Sequence, residues 1–559
     1  MISGGDDPAR SGPPPDRAAP ALGPRTAVLD SAHLGDIEGA FGRISVGETG
    51  HSRTWKTRLL TLLAIVGPGI IVMVGDNDAG GVATYAQAGQ NYGYSLLWTL
   101  LLLIPVLIVN QEMVVRLGAV TGVGHARLIK ERFGRGWGWF SVGDLFLLNF
   151  LTIVTEFIGI TLAAQYFGVS KYIVVPVSAA ALVAIMASGS FQRWERAMFV
   201  FIAITLVQIP MLLMSHPQWG DAAKSFVVPR ISGGMNSDSV LLIIAIVGTT
   251  VAPWQLFFQQ SNVVDKRITP RFMGYERADT VVGALVVVMS AAALLMTGAW
   301  AARSTNTVGN FTDAGAIAHL LGQHNPMLGS FFAIVLMDAA ILGAAPVTLA
   351  TSYAFGDMFG LKHSLHRGFA DAKQFYLFYT AIVVLAAAMV LIPGAPLGLI
   401  TFAVQALAGL LMPSATVFLL LLCNDREVLG PWVNRPWLNG VAGLIVGTLL
   451  LVSGILIATT LFPDLHAEAV AGYLGVASLV LAVTAGAVLR WLARRQPAPP
   501  PAKFLARRVD RNTWRMPPLT LLEPVTWSAG TRFGMVTLRT YLITAVVLLI
   551  VKAVQLSGR

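Results

Sequence analysis

Cysteine is almost missing from this 559-residue chain; the one present, Cys423, sits inside an apolar run. A single thiol excludes a disulfide framework and a thiolate metal cluster. Charge is scarce as well. Asp, Glu, Lys and Arg make up 12% of the residues, against about 25% in an ordinary soluble domain. Mean hydropathy is +0.67. A chain this apolar cannot hide its surface in one water-soluble core, so lipid must be its solvent. Catalytic signatures are also lacking: HExxH, GxSxG, GxxxxGK[ST] and a His cluster at ligand spacing are all absent. The chain therefore does not read as an enzyme and calls for no cofactor. The net charge of +10 raises nucleic acid as a partner. Its distribution excludes that as the main role, because the basic residues lie in loops between apolar runs, as membrane orientation requires.

What the sequence has in abundance is apolar stretches of roughly 20 residues, the length that crosses a bilayer. They are read at 59–92 (interrupted), 95–116, 140–168, 171–190, 197–215, 238–262 (interrupted), 279–302, 327–355 (broken by glycines), 375–393, 397–423, 437–461 and 468–490. The expected architecture is an all-α polytopic membrane protein of about 12 transmembrane helices. Alternate loops carry the positive charge: Arg127, Lys130, Arg132 and Arg135, then Arg193 and Arg196, then Lys266, Arg267, Arg271 and Arg277, then Lys362, Arg367 and Lys373. Positive charge stays inside, which puts both termini in the cytoplasm and the chain in the cell membrane. Residues 1–56 are hydrophilic and rich in Pro, Gly and Ala, with no cleavable signal, and read as a disordered cytoplasmic tail. The transporter-sized membrane domain is 57–493, divided as 57–215, 237–423 and two extra helices at 437–493. Residues 494–559 form a basic tail in which 540–556 fits either a thirteenth span or an interfacial helix. A monomer and a homodimer both fit.

Two spans are interrupted at their centres. The first holds Gly75, Asp76, Asn77, Asp78, Gly80 and Gly81; the sixth holds Gly248, Thr249, Thr250 and Pro253. Carboxylates in mid-membrane are expensive and functional by default. Glycine lets a helix unwind, and proline frees a carbonyl one turn earlier. If spans 1–5 and 6–10 are two halves of a repeat, the breaks correspond. Paired broken helices mark the midplane site of a transporter, and carbonyls joined by a carboxylate make a cation site. The plain alternative is tolerated kinks, which fits one break better than two in register.

The residues around the first break also resemble the natural resistance-associated macrophage protein (Nramp) family of proton-coupled Mn²⁺/Fe²⁺ importers. Gly67-Pro68-Gly69 precedes Asp78-Ala79-Gly80-Gly81, and Ala83-Thr84, Ala88-Gly89, Gly93-Tyr94 and Leu96-Leu97-Trp98 follow in step. Gln111, Arg116-Leu117-Gly118, Thr121-Gly122, Glu156-Phe157-Ile158-Gly159, Gln405, Pro413 and Asn424-Asp425 are similar to further family motifs. The resemblance covers spans 1–10. It implies a LeuT-like 5+5 inverted repeat with broken helices 1 and 6, working by alternating access.

Departures from the family pattern narrow the expectation. Ala252 stands where the family has methionine, Trp254 where it has histidine, Gly81 where it has asparagine, and Ile153 where it has an aspartate. A soft sulfur ligand is gone and space is gained, which suits a hard ion that keeps its waters, such as Mg²⁺, with Mn²⁺ close behind. The pattern is most like the Nramp-related magnesium transporter branch, with weak or absent proton coupling. By this resemblance the metal residues are Asp78, Gly75, Thr249, Gln405, Gly81 and Ala252. Asp76, Asn77, Glu156, Trp254, Gln255, Gln259 and Asp338 fall on the ion path or around it. Each has a plain reading as well: Asp78 as a helix cap, the Thr249 hydroxyl bonded to its own helix, and Gln405 or the glutamines of span 6 as ties between helices. Glu112 and Arg116 read simply as an ion pair one turn apart. Competing functions are a proton-coupled Mn²⁺/Fe²⁺ symporter, an organic-substrate carrier that Asp78 disfavours, and a membrane sensor or enzyme that does not transport.

Overall fold

The computed structural model describes residues 28, 30–46, 54–461, 466–495 and parts of 511–547. Nearly all of them are helical. Nine helices among the described residues are long and apolar enough to cross a bilayer. They are span 2 (Leu97–Thr121), span 3 (Arg135–Tyr166), span 5 (Phe191–Met214), span 6 (Ser237–Asp265), span 7 (Pro270–Thr305), span 8 (Pro326–Phe359), span 9 (Lys373–Leu391), span 10 (Leu397–Cys423) and span 11 (Pro436–Thr459). Of the other three expected segments, span 1 is interrupted, span 4 is the shorter helix Lys171–Met186, and span 12 is the helix Ala467–Arg495, apolar over Glu468–Val480. Most of 540–556 lies outside the described residues; its start continues a helix over 534–544.

Span 1 differs from the sequence expectation at its start. The run from 59 is two elements: a lead helix, Trp55–Ile65, and half-helix 1a, Pro68–Val74, bent 52° apart. The joint is Gly67, at φ +155°, a backbone conformation that costs glycine little. Helix 1a starts with Pro68, which has no N–H to leave unsatisfied. The first N–H groups go to one carboxylate from span 7. Gly67 and Gly69 donate to Asp279 Oδ2 at 3.1 and 2.7 Å, and Ile70 donates to Oδ1 at 3.2 Å. Beside them Lys266, fully buried, pairs with buried Glu195 at 2.6 Å and donates to the carbonyls of Ile65 and Val66.

Residues 30–46 correct the expectation of a disordered tail for that stretch. They form a short 3₁₀ turn and a hairpin, β1 (Ile37–Gly39) with β2 (Gly42–Ile44), pairing Ile37 with Ile44 and Gly39 with Gly42. This strap lies across one end of the bundle. Asp30 pairs with Arg367 of the 8–9 loop. Arg267 after span 6 donates to Ala32 O and Asp36 O. Arg196 and Gln192 of span 5 donate to the carbonyls of Ala40 and Gly39, and Glu195 accepts from the Ala40 N–H. At the same end Lys130 donates to Met358 O, where span 8 ends. Four basic loops thus gather at one face of the molecule. Cys423 is buried at the end of span 10, its thiol 3.8 Å from the Met113 carbonyl.

Candidate ion site at two helix breaks

The site is built from the two interruptions. Half-helix 1a ends at Gly75, and half-helix 1b runs Ala79–Tyr92 with Asp78 as its N-cap. Half-helix 6a is Ser237–Thr250 and 6b is Pro253–Asp265; Val251 and Ala252 lie between them, Ala252 in extended backbone. Backbone bonding tapers through the first break. The Asp76 and Asn77 N–H groups reach Met73 O and Val74 O only at 3.3 and 3.2 Å.

The breaks meet at Gly81. A methyl group there would stand 3.1 Å from Thr249 Oγ1 and 3.2 Å from the Asp76 carbonyl oxygen. One residue earlier, the amide of Gln405 from span 10 occupies the space a side chain at Gly80 would take. On the opposite side span 8 approaches so closely that a methyl at Gly343 would lie 2.6 Å from Asp78 Cβ and 3.1 Å from the Glu156 carboxyl. Asp78, Asp76, Thr249, Gln405 and Glu156 therefore lie around the two breaks, contributed by spans 1, 6, 10 and 3.

Their hydrogen bonding is incomplete. Asp78 Oδ1 accepts from the Gly81 N–H at 2.7 Å, so the cap reading holds for one of its oxygens. Glu156 Oε2 accepts from the Ala79 N–H at 3.1 Å, while Oε1 has no partner. Asn77 Nδ2 donates to Val287 O, and its Oδ1 is unpartnered. Both oxygens of Asp76, the Thr249 hydroxyl and the Gln405 amide nitrogen are buried without a partner. Thr249 does not bond its own helix; its neighbour Thr250 does, donating to Ile246 O at 2.6 Å and meeting the Tyr85 hydroxyl at 2.8 Å. Buried polar groups are almost always satisfied, so a cluster of open polar atoms, mostly oxygens, marks a place for a ligand. Asp76, Asn77 and Asp78 are at most 3% exposed. The three larger cavities among the described residues, of about 540, 490 and 310 Å³, are not lined by any of them. Among the described residues no three His, Cys, Asp or Glu side chains gather to hold a metal, so Asp76, Asp78 and Glu156 do not converge as three ligands of one ion.

Other expected residues divide. Gln255 lies beneath the site, its Oε1 accepting from Gln111 at 2.9 Å. Trp254 is fully buried with its indole N–H unpartnered, its ring 6.0 Å from Phe258. Gln259 turns toward span 7, donating to Thr280 at 3.3 Å. Asp338 is not brought to the breaks; one of its oxygens accepts from Thr205 of span 5 at 3.0 Å. Glu112 and Arg116 do pair, at 3.1 Å, and Arg116 also holds Trp432 O and Asn434. Sequence reading missed Gly343, the Tyr85–Thr250 tie and the Asp279 cap. The glycines of span 8 were visible, but nothing in them says which neighbour they admit.

The model of the natural resistance-associated macrophage protein-like family matches residues 69–459. A divalent metal cation transporter MntH from Lacticaseibacillus casei (strain BL23) is 26% identical over 431 residues, covering 73% of this chain and 91% of the relative. One from Ralstonia nicotianae is 29% identical over 412 residues, covering 69% and 88%. Among solved structures, a manganese transporter of Eremococcus coleocola, in complex with an aromatic bis-isothiourea substituted compound, superposes with a TM-score of 0.56 at 21% identity, over 79% of this chain and 95% of that one. The helical arrangement is thus the fold of that transporter.

Proposed function

The chain belongs to the natural resistance-associated macrophage protein-like family, and on that premise we propose that it carries divalent metal ions, Mg²⁺ and Mn²⁺, inward across the cell membrane by alternating access. The curated relatives that it matches are named as divalent metal cation transporters. The observation that carries the reading is the ring of unsatisfied oxygens where the two breaks meet. Asp78 is the direct anionic ligand, joined by the carbonyl of Gly75 and the Thr249 hydroxyl, and Gln405, whose amide nitrogen faces Gly80, turns its oxygen to the ion. Gly81 and Ala252 leave room around the ion, and Asn77 and Gln255 line its path.

The donor set supports Mg²⁺ as cargo. Ala252 offers no sulfur, and the oxygen donors suit a hard ion that gives up water reluctantly. Entry needs no coupled proton: a potential of 100 mV is worth about 2.3 kcal/mol per charge, roughly twice that for a divalent ion. One observation favours a second reading, the proton-coupled symporter. Glu156 keeps an open oxygen beside Asp78.

Purified protein in liposomes decides between them. With an inward-negative potential, Mg²⁺ and Mn²⁺ should both accumulate, excess Mg²⁺ should suppress Mn²⁺ uptake, and the lumen should not acidify. Uptake matched by acidification would establish the symporter instead. Asp78→Ala should bring uptake down to the level of empty liposomes; full activity in that variant would refute the site.

A further inference from the structure

Asp76 stands out among the buried carboxylates. It is 1% exposed, and neither oxygen has a hydrogen-bond partner. Other buried acids have compensation. Glu195 has Lys266, and Asp279 has three backbone N–H groups. Glu276, which also lacks hydrogen bonds, faces Asp279 and Glu195 but has Lys266 among them, whereas among the described residues no cation faces Asp76. The groups that face Asp76 are Asp78, the Tyr85 ring and the Gln255 amide. Two carboxylates two residues apart in an unwound mid-membrane segment repel each other, and an isolated buried charge costs several kcal/mol in a real protein. Such a pair is relieved by a proton or by a cation held between them, and a cation meets both carboxylates at once.

Resting on the reading of this site as a divalent-ion site, we infer that Asp76 is a second anionic partner of the transported ion, acting across one of the ion's retained waters, and that it sets the site's preference for a charge of two. Position supports the water-mediated role. Asp78 holds the cap of helix 1b at the point where spans 1, 3 and 8 converge. The Asp76 carbonyl oxygen and the Thr249 hydroxyl flank Gly81, 3.2 and 3.1 Å from where a side chain there would begin, so any side chain at Gly81 would close the gap that a water needs. Two carboxylates neutralise a dication. A monovalent ion leaves one negative charge buried, and a trivalent ion leaves one positive charge. Because Mg²⁺ keeps its waters more tenaciously than Mn²⁺, a water-mediated partner matters more for Mg²⁺.

The test uses the full chain in nanodiscs, with wild type, Asp76→Asn and Asp78→Ala compared by calorimetric titration with Mg²⁺ and Mn²⁺ and by thermal unfolding without metal. Asp76→Asn should weaken Mg²⁺ binding about 10–100-fold, the range seen when an outer partner of a metal site is lost, and weaken Mn²⁺ binding less. Its metal-free melting temperature should rise, since an unmatched buried charge is gone. Unchanged Mg²⁺ affinity, an equal loss for both ions, a lowered metal-free melting temperature or a variant that does not fold would each overturn the inference. Wild type that binds neither ion, or Asp78→Ala that binds like wild type, would instead defeat the ion-site reading beneath it. Loss in Asp78→Ala with none in Asp76→Asn defeats the role of Asp76 alone.

Discussion

At Gly343 one added methyl group would press against both carboxylate-bearing side chains that shape the first break. Overpacking of this kind costs about 1–3 kcal/mol. Here the strain falls on Asp78 itself, so Gly343→Ala should cut metal uptake sharply while lowering the melting temperature only modestly. Radiotracer uptake beside a melting curve separates the two effects; wild-type uptake would show that span 8 can retreat. Glu156→Gln keeps the shape, and the Ala79 N–H still has an oxygen to donate to, so the variant should stay folded. If transport proceeds without protons, its uptake should be independent of a pH gradient, as in wild type. The acids of this site were legible from sequence because charge in mid-membrane is costly enough to be conspicuous. Their pairing was not. Asp338 drew the same default suspicion as Asp78, yet it hydrogen-bonds Thr205 on span 5. Cost alone says that a buried acid needs a reason, not which neighbour supplies it.

Helix 1a is seven residues long, too short to hold together in isolation. Its stability is borrowed from the Asp279 cap ahead of it and from Lys266, which grips the carbonyls where the lead helix ends. Lys266→Met would leave Glu195 buried without its partner, a loss of about 3–5 kcal/mol. Thermal unfolding in detergent should show a drop of many degrees; a drop no larger than for an exposed lysine would mean that Glu195 finds another partner. The break at 75–78 could be anticipated from its glycines and aspartates. The 52° joint at Gly67 could not, because the apolar run continues through it and hydropathy is blind to a turn between two apolar helices. Gly67-Pro68 was visible as a motif, but its meaning depends on Asp279, more than two hundred residues away.

On the scale of the whole molecule, the strap binds spans 5 and 6 and the 8–9 loop into one closed face. It is attached to the loop by the Asp30–Arg367 pair, by His366 beside Glu38 and by the His33–His363 ring contact. Burial works to raise the Asp30 carboxyl, yet the Arg367 guanidinium prevails and holds it at about 2, below its ordinary 3.8. A depressed acid contributes stability that is complete above its unfolded value and is lost as pH falls through the folded one. The share of protection over residues 31–44 that this pair supplies, read as the difference in corrected amide exchange between wild type and Arg367→Ala, should therefore be steady from pH 8 to about 4 and vanish toward pH 2. Arg367→Ala should show the faster exchange throughout the steady range; unaltered protection would mean that Arg267 and Glu195 suffice to hold the strap. Nothing in residues 30–46 announces this element, because its strands are only three residues long and its partners are scattered across the chain. The bundle it covers, by contrast, was written plainly in the hydropathy.

The sole thiol of the chain is sealed beneath Met113 at the end of span 10. The native protein is therefore its own silent background for chemical labelling. A cysteine placed at Ala252 or beside Gln255 can report, by its alkylation under one gradient or another, which compartment the pathway is open to, without first stripping and re-validating the scaffold.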